Sequence, residues 1–190
     1  MPRDDVPIIP FQSSLVWEEW LEDNHAKSDG LWLKIAKKAS GIPTVTYQEA
    51  VDVALCYGWI DGQRQSFDDQ WFTQRFTPRR SRSRWSQINR DRVKGLIERG
   101  LMRPAGFSEI ERAKADGRWD DAYPSSSNME VPEDLRLALD ADPRAAEAFA
   151  ALNSSSRYSI LYRIHHTKAA AARVQRIEQF IAMLVKGEGL

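Results

Sequence analysis

Cysteine is almost missing from this chain: Cys56 stands alone among 190 residues. That excludes an internal disulfide framework and any multi-cysteine metal centre, and it favours a reducing compartment. Net charge is missing too, because 27 Lys and Arg balance 27 Asp and Glu. A molecule with no overall positive field argues against a nucleic-acid partner, so any preference for anions must be local. No stretch of some 18 consecutive apolar residues occurs, and no membrane insertion is expected. The N-terminal string MPRDDVPIIPF lacks the apolar run of a signal peptide, which makes the cytoplasm the expected location. Histidine is scarce: His25 is isolated, and the adjacent His165 and His166 would point about 100° apart on a helix, so no metal site is expected. There is also no glycine-rich phosphate cradle, nucleophile elbow or cofactor motif, and no cofactor is expected.

What is present describes an ordered globular chain, 42% hydrophobic and 10% aromatic. Three prolines within Met1 to Pro10 predict an extended arm without ladder hydrogen bonds. Val16, Trp17, Trp20 and Leu21 fall at helical spacing and predict a helix over Leu15 to Asn24, capped by Ser13 or Ser14. Leu31, Leu33 and Ile35 alternate with Trp32, Lys34 and Ala36, the period of a strand with one buried side, after a turn at Gly30. Thr46 and Glu49 form a capping box for a helix whose stripe is Ala50, Val53, Ala54 and Tyr57 and whose stop is Gly58. Two strands, Trp59 to Arg64 and Trp71 to Phe76, make a hairpin around Ser66 to Asp69. A helix follows from Trp85 to Glu98 with Ser83 as its cap, then a shorter one from Ser108, which with Glu111 repeats the capping-box spacing, to Ala115.

The run RWDDAYPSSSNMEVP breaks both periodicities and places a boundary. The expected organisation is an N-terminal α+β domain over 1–123, a linker over 124–131, and a helical segment over 132–190. That segment reads as helices near Glu133 to Leu139 and Arg144 to Leu152, then one long helix opened by Ser154 to Ser156. Its seam is Ala170, Val174, Ile177, Ile181 and Leu184. Strands early and helices late predict an α+β fold with a small, mainly antiparallel sheet.

Candidate chemistry gathers between Tyr57 and Asn89. There Trp59, Asp61, Arg64, Arg75, Arg79, Ser83, Trp85, Ser86 and Asn89 interleave aromatic, cationic and hydroxyl groups, the composition of a surface that binds something anionic. The run Arg79, Arg80, Arg82 and Arg84 ends where a helix begins, and arginine's planar fork suits a phosphate or carboxylate. Asp61 calls for an arginine partner, Arg64, Arg75 or Arg79, and is the one candidate for a catalytic base, with no nucleophile beside it. Trp17, Trp20, Trp32 and Trp119 are expected to serve core or interdomain packing.

Four strings carry a resemblance: GWIDG (58–62), RSRWSQIN (82–89), GLMRPAG (100–106) and DGRWDDAY (116–123), followed by RIHHTKAAAARVQRI in the C-terminal part. The chain resembles the YdeI/OmpD-associated proteins, also called bacteriocin-protection or OmdA proteins, from about Phe11 to Gly187. The resemblance implies a bacterial, cytoplasmic protein, linked by family name to bacteriocin or stress protection, but supplies no reaction. The expected function is binding of a small anionic ligand by the Trp59 to Asn89 stretch. The alternatives are a protein-interaction module acting through the C-terminal helices and an enzyme using Asp61.

Overall fold

A computed structural model describes residues 6–188. Its contacts separate into two compact units, one ending at Ala122 and the other beginning at Tyr123. The first holds a four-stranded mixed sheet of order β1 (Ile8–Pro10), β2 (Leu31–Ala36), β4 (Trp71–Pro78) and β3 (Trp59–Ser66). Here the expected arm is corrected: Ile8 to Pro10 lie parallel to Trp32 to Lys34 as an edge strand. Proline tolerates an edge, where its missing N–H need not serve a ladder. Residues 1–5 of the expected arm lie outside the described residues.

Register decides which side chains meet. Leu31, Leu33 and Ile35 face Phe76, Gln74 and Phe72 of β4, and all six are buried. The alternate residues Trp32, Lys34, Trp71 and Arg75 therefore share the opposite face. Against the buried side pack α1 (Ser14–Asn24) and α2 (Tyr47–Cys56). Helix α2 is the hub of this unit: it touches α1, β3, α3 (Gln87–Glu98) and α4 (Pro104–Ala115). Its buried side, Ala50, Val51, Ala54, Leu55 and Cys56, is wider than one stripe because neighbours surround it. Gly106 lets α4 approach: a Cβ there would stand 2.3 Å from the Cys56 carbonyl oxygen.

The expected capping box opens α2. Thr46 accepts from the Glu49 amide, and the Glu49 carboxylate accepts from the Thr46 amide at 2.8 Å and hydroxyl at 2.7 Å. Those bonds hold the Glu49 carboxyl below its ordinary value. A depressed folded value contributes stability above the unfolded value of about 4.3, and this is lost as pH falls through the folded value. Thr46→Ala should thus cost about 1 kcal/mol near neutrality, and the gap from the parent should narrow near pH ~3. Thermal unfolding at both pH values checks this; an unchanged gap would remove the carboxylate from the account.

Three helix starts differ from expectation. Ser86, not Ser83, caps α3, accepting from the Asn89 amide at 3.1 Å. The displaced Ser83 accepts instead from the Arg80 amide at 2.9 Å. Helix α4 starts at Pro104, which suits a first helical position, so the Ser108 and Glu111 spacing falls within the helix. In the second unit, α5 (Glu133–Asp140) and α6 (Pro143–Ala151) match the expected pair, and Asp142 caps α6. The single long helix, however, is two: α7 (Ser154–His165) and α8 (Ala170–Lys186). Along α8 the buried residues are Ile177, Phe180 and Leu184, while Val174 is 57% exposed. The core side is thus rotated from the expected seam. Among the described residues no helix is long and apolar enough to cross a membrane.

Candidate functional site

The residues singled out between Trp59 and Asn89 occupy three places rather than one pocket. Trp59 belongs to the core: it is 1% exposed, donates from Nε1 to the His25 carbonyl at 3.1 Å and meets Trp17 and Trp20 edge-on.

Asp61 occupies the second place. It lies opposite Phe76, so its side chain leaves the sheet on the face away from Arg75, and an Asp61–Arg75 pair is excluded. The described partner is the Tyr47 hydroxyl, which donates to the Asp61 carboxylate at 2.8 Å. Burial and then the Asp61 charge push the Tyr47 phenol well above its ordinary value, so it stays a donor. Arg64 lies over the Phe72 ring at 3.9 Å. Beside them Arg92 pairs with Asp52 at 2.6 Å and donates to Gln48. On the opposite face Arg75 lies 5.9 Å from the Trp32 ring centre. Its Nη1 is buried with no hydrogen-bond partner among the described residues.

The third place is the arginine-rich loop from β4 to α3. Arg79, 5% exposed, lies over the Trp85 ring at 3.6 Å and donates to the Arg84 carbonyl at 3.1 Å. From α4's end Arg118 donates to the Ser83 carbonyl at 2.7 Å and pairs with Asp116. Two arginines are therefore spent on loop carbonyls, which fixes the backbone and leaves Arg80, Arg82 and Arg84 exposed. Next to Arg84 in the chain, Trp85 is 1% exposed and contacts Trp119 at 4.9 Å. Its indole Nε1 is buried with no acceptor among the described residues. Buried donors almost always have a partner, which makes this orphan an exception. Trp119 was expected as simple packing, yet it also takes Arg90 at 5.2 Å. Arg118 was not legible from local patterns, because its role depends on a carbonyl 35 residues away.

Other chemistry is quiet. Burial pushes the Cys56 thiol up to about 11, so it stays protonated and behaves as a small apolar residue. Among the described residues no group of three or more His, Cys, Asp or Glu could hold a metal ion.

Family models match both units. The one described as "Domain of unknown function (DUF8412)" covers residues 9–109, more than half of the chain. The chain belongs to that family. A second model, described as "Bacteriocin-protection, YdeI or OmpD-Associated" (OmdA), covers residues 128–187. The expected resemblance thus holds for the C-terminal part, while GWIDG, RSRWSQIN and GLMRPAG lie in the DUF8412 match. The arginine-rich loop lies within the DUF8412 match, and helices α5 to α8 lie within the OmdA match. No curated protein and no solved structure matches the chain.

Proposed function

We propose that the DUF8412 domain binds a small anion at the arginine-rich loop. The observation that supports it most is the buried Trp85 Nε1 without an acceptor among the described residues, in the same loop as the exposed Arg80, Arg82 and Arg84. A carboxylate or phosphate oxygen would satisfy that donor, and charge-assisted bonds from exposed guanidinium groups would add affinity and direction. Because Arg79 and Arg118 already hold the loop backbone, little ordering entropy remains to oppose binding. The net charge of zero fits a local site better than a polyanion track.

The test is calorimetric titration and thermal shift with phosphate, sulfate, small carboxylates and mononucleotides. A ligand at about 100 times its dissociation constant should add about 2.7 kcal/mol of stability. Trp85→Phe keeps the ring under Arg79 and removes the N–H, and Arg82→Gln removes one exposed cation. Each should weaken binding roughly tenfold, about 1.4 kcal/mol, with the fold intact by circular dichroism. A stabilising anion that binds both variants as tightly as the parent would reject this loop. No stabilising anion at all would leave the OmdA helices, as a protein-docking module, the better reading.

A further inference from the structure

The sheet of the first unit has a second side, and the core does not use it. Trp32 and Lys34 of β2 share this outer face with Trp71 and Arg75 of β4, and Trp32 pairs directly with Arg75. Ile8 lies beside Trp32 on the edge strand and is 49% exposed. Trp32 and Trp71 are half-buried, and neither packs against the hydrophobic core among the described residues. We propose that this face binds single-stranded nucleic acid, with unpaired bases stacked on its aromatic rings and phosphates held by Lys34 and Arg75.

Rings and cations are interleaved here. The Lys34 ammonium lies 4.1 Å from the ring centre of Phe67, which is 48% exposed in the hairpin turn, and 4.7 Å from that of Trp71. The Arg75 guanidinium lies 5.9 Å from the Trp32 ring centre. Neither cation makes an ion pair among the described residues. Burial, then the Arg80 charge, pushes the Arg75 guanidinium below its ordinary value, and Asp29 opposes this less strongly. The surroundings of Arg75 are thus short of negative charge. In the hairpin turn, the Asp68 carboxylate is already engaged by the Gln70 and Trp71 amides at 2.8 Å each.

The spacing of the rings selects a strand over a mononucleotide. Trp71 stands level with Ala36 and Trp32 with Arg75, which separates the two indoles by about 13 Å along the sheet. One planar base cannot reach both, whereas bases of one chain can, each on its own ring. Four-stranded sheets with exposed aromatics take two or three unstacked bases in this way. A net charge of zero counts against a polyanion only where the charge is evenly spread. Here it is divided: Glu18, Glu19, Glu22 and Asp23 line one cleft on α1, which packs on the buried side of the sheet. The outward positions of the four strands carry no carboxylate. Nothing in this reading uses the indole donor of Trp85.

The experiment is fluorescence anisotropy of the full chain with labelled single strands of about ten nucleotides, competed by the matching duplex, AMP, heparin and poly-glutamate. The single strand should bind saturably and weaken with salt, at a log–log slope of about −0.7 for each phosphate contacted. The duplex and AMP should compete at least tenfold less well. Trp32→Ala and Trp71→Ala should each weaken binding roughly tenfold, and Lys34→Gln should reduce the salt slope by about 0.7. Trp85→Phe should leave the affinity unchanged, so this reading and that of the arginine-rich loop can fail separately. No saturable binding would overturn the proposal, as would a loss in Trp85→Phe as large as that in Trp32→Ala. Heparin competing as well as the single strand would reduce the face to a cationic patch that ignores bases, and poly-glutamate doing so would point to an acidic protein partner; either result overturns it. If Trp32→Ala loses its fold, Phe67→Ser in the exposed turn decides, and an unchanged affinity there rejects the stacking surface.

Discussion

Gly30→Ala is expected to destabilise the first unit by about 2–6 kcal/mol, on the order of half the stability of a typical domain. Two independent penalties combine. Gly30 has a φ of +122°, a backbone conformation that an L side chain adopts only at a cost of about 1–3 kcal/mol. A Cβ built there would also lie 2.4 Å from the Phe76 carbonyl oxygen, 2.8 Å from Thr77 Cγ2 and 3.1 Å from Arg75 Nη1. The first contact is with backbone, so relief requires β2 and β4 to part where Leu31 pairs with Phe76. That pairing begins the buried side of the sheet, and overpacking of this kind costs about 1–3 kcal/mol more. Thermal unfolding should show a fall of roughly 10 °C or more. A midpoint within two or three degrees of the parent would show that the strands yield easily there, and the steric account would fail.

Gly30 also shows where sequence reading stops. The residue was legible as a turn before an alternating strand, but its reason is the approach of β4, more than 40 residues away in the chain. Features with both halves local were readable: the Thr46 and Glu49 box of α2, the Ser13 cap of α1, and the hairpin of β3 and β4. Decoys arose where local patterns were repeated. Ser83 and Ser86 both precede α3, and it is the Ser86 hydroxyl that accepts from the Asn89 amide. The Ser108 and Glu111 spacing imitated a helix start inside α4, which Pro104 had already opened. The break between α7 and α8 has neither glycine nor proline to announce it. There the last turn of α7 is closed by the Thr167 hydroxyl on the Arg163 carbonyl and by Arg173 on the Ile164 carbonyl, the second of these reaching back from the next helix. For the same reason the arginine run could be seen, but not its division into the buried Arg79 and the exposed Arg80, Arg82 and Arg84.

Trp85→Ala is the second large effect, expected to cost about 3–5 kcal/mol from loss of a fully buried aromatic side chain. The ring carries Arg79 at 3.6 Å on one side and meets Trp119 at 4.9 Å, so its removal leaves a buried guanidinium without its support. Such a cation then draws water or moves, and the loop carbonyl of Arg84 loses its donor. Trp85→Phe should recover most of the stability, because a smaller aromatic face still lies under the guanidinium. The two variants therefore separate the roles of the residue. Stability follows the ring and anion affinity follows the Nε1–H. A double-mutant cycle with Arg79→Leu supplies the coupling: removing both partners should cost less than the sum of the single losses by about 1 kcal/mol or more. Strict additivity would mean that Arg79 is held by the Arg84 carbonyl and its other surroundings rather than by the ring. The loop would then keep its shape in Trp85→Ala, and a retained anion response in that variant would move the binding donors from the indole to the exposed arginines.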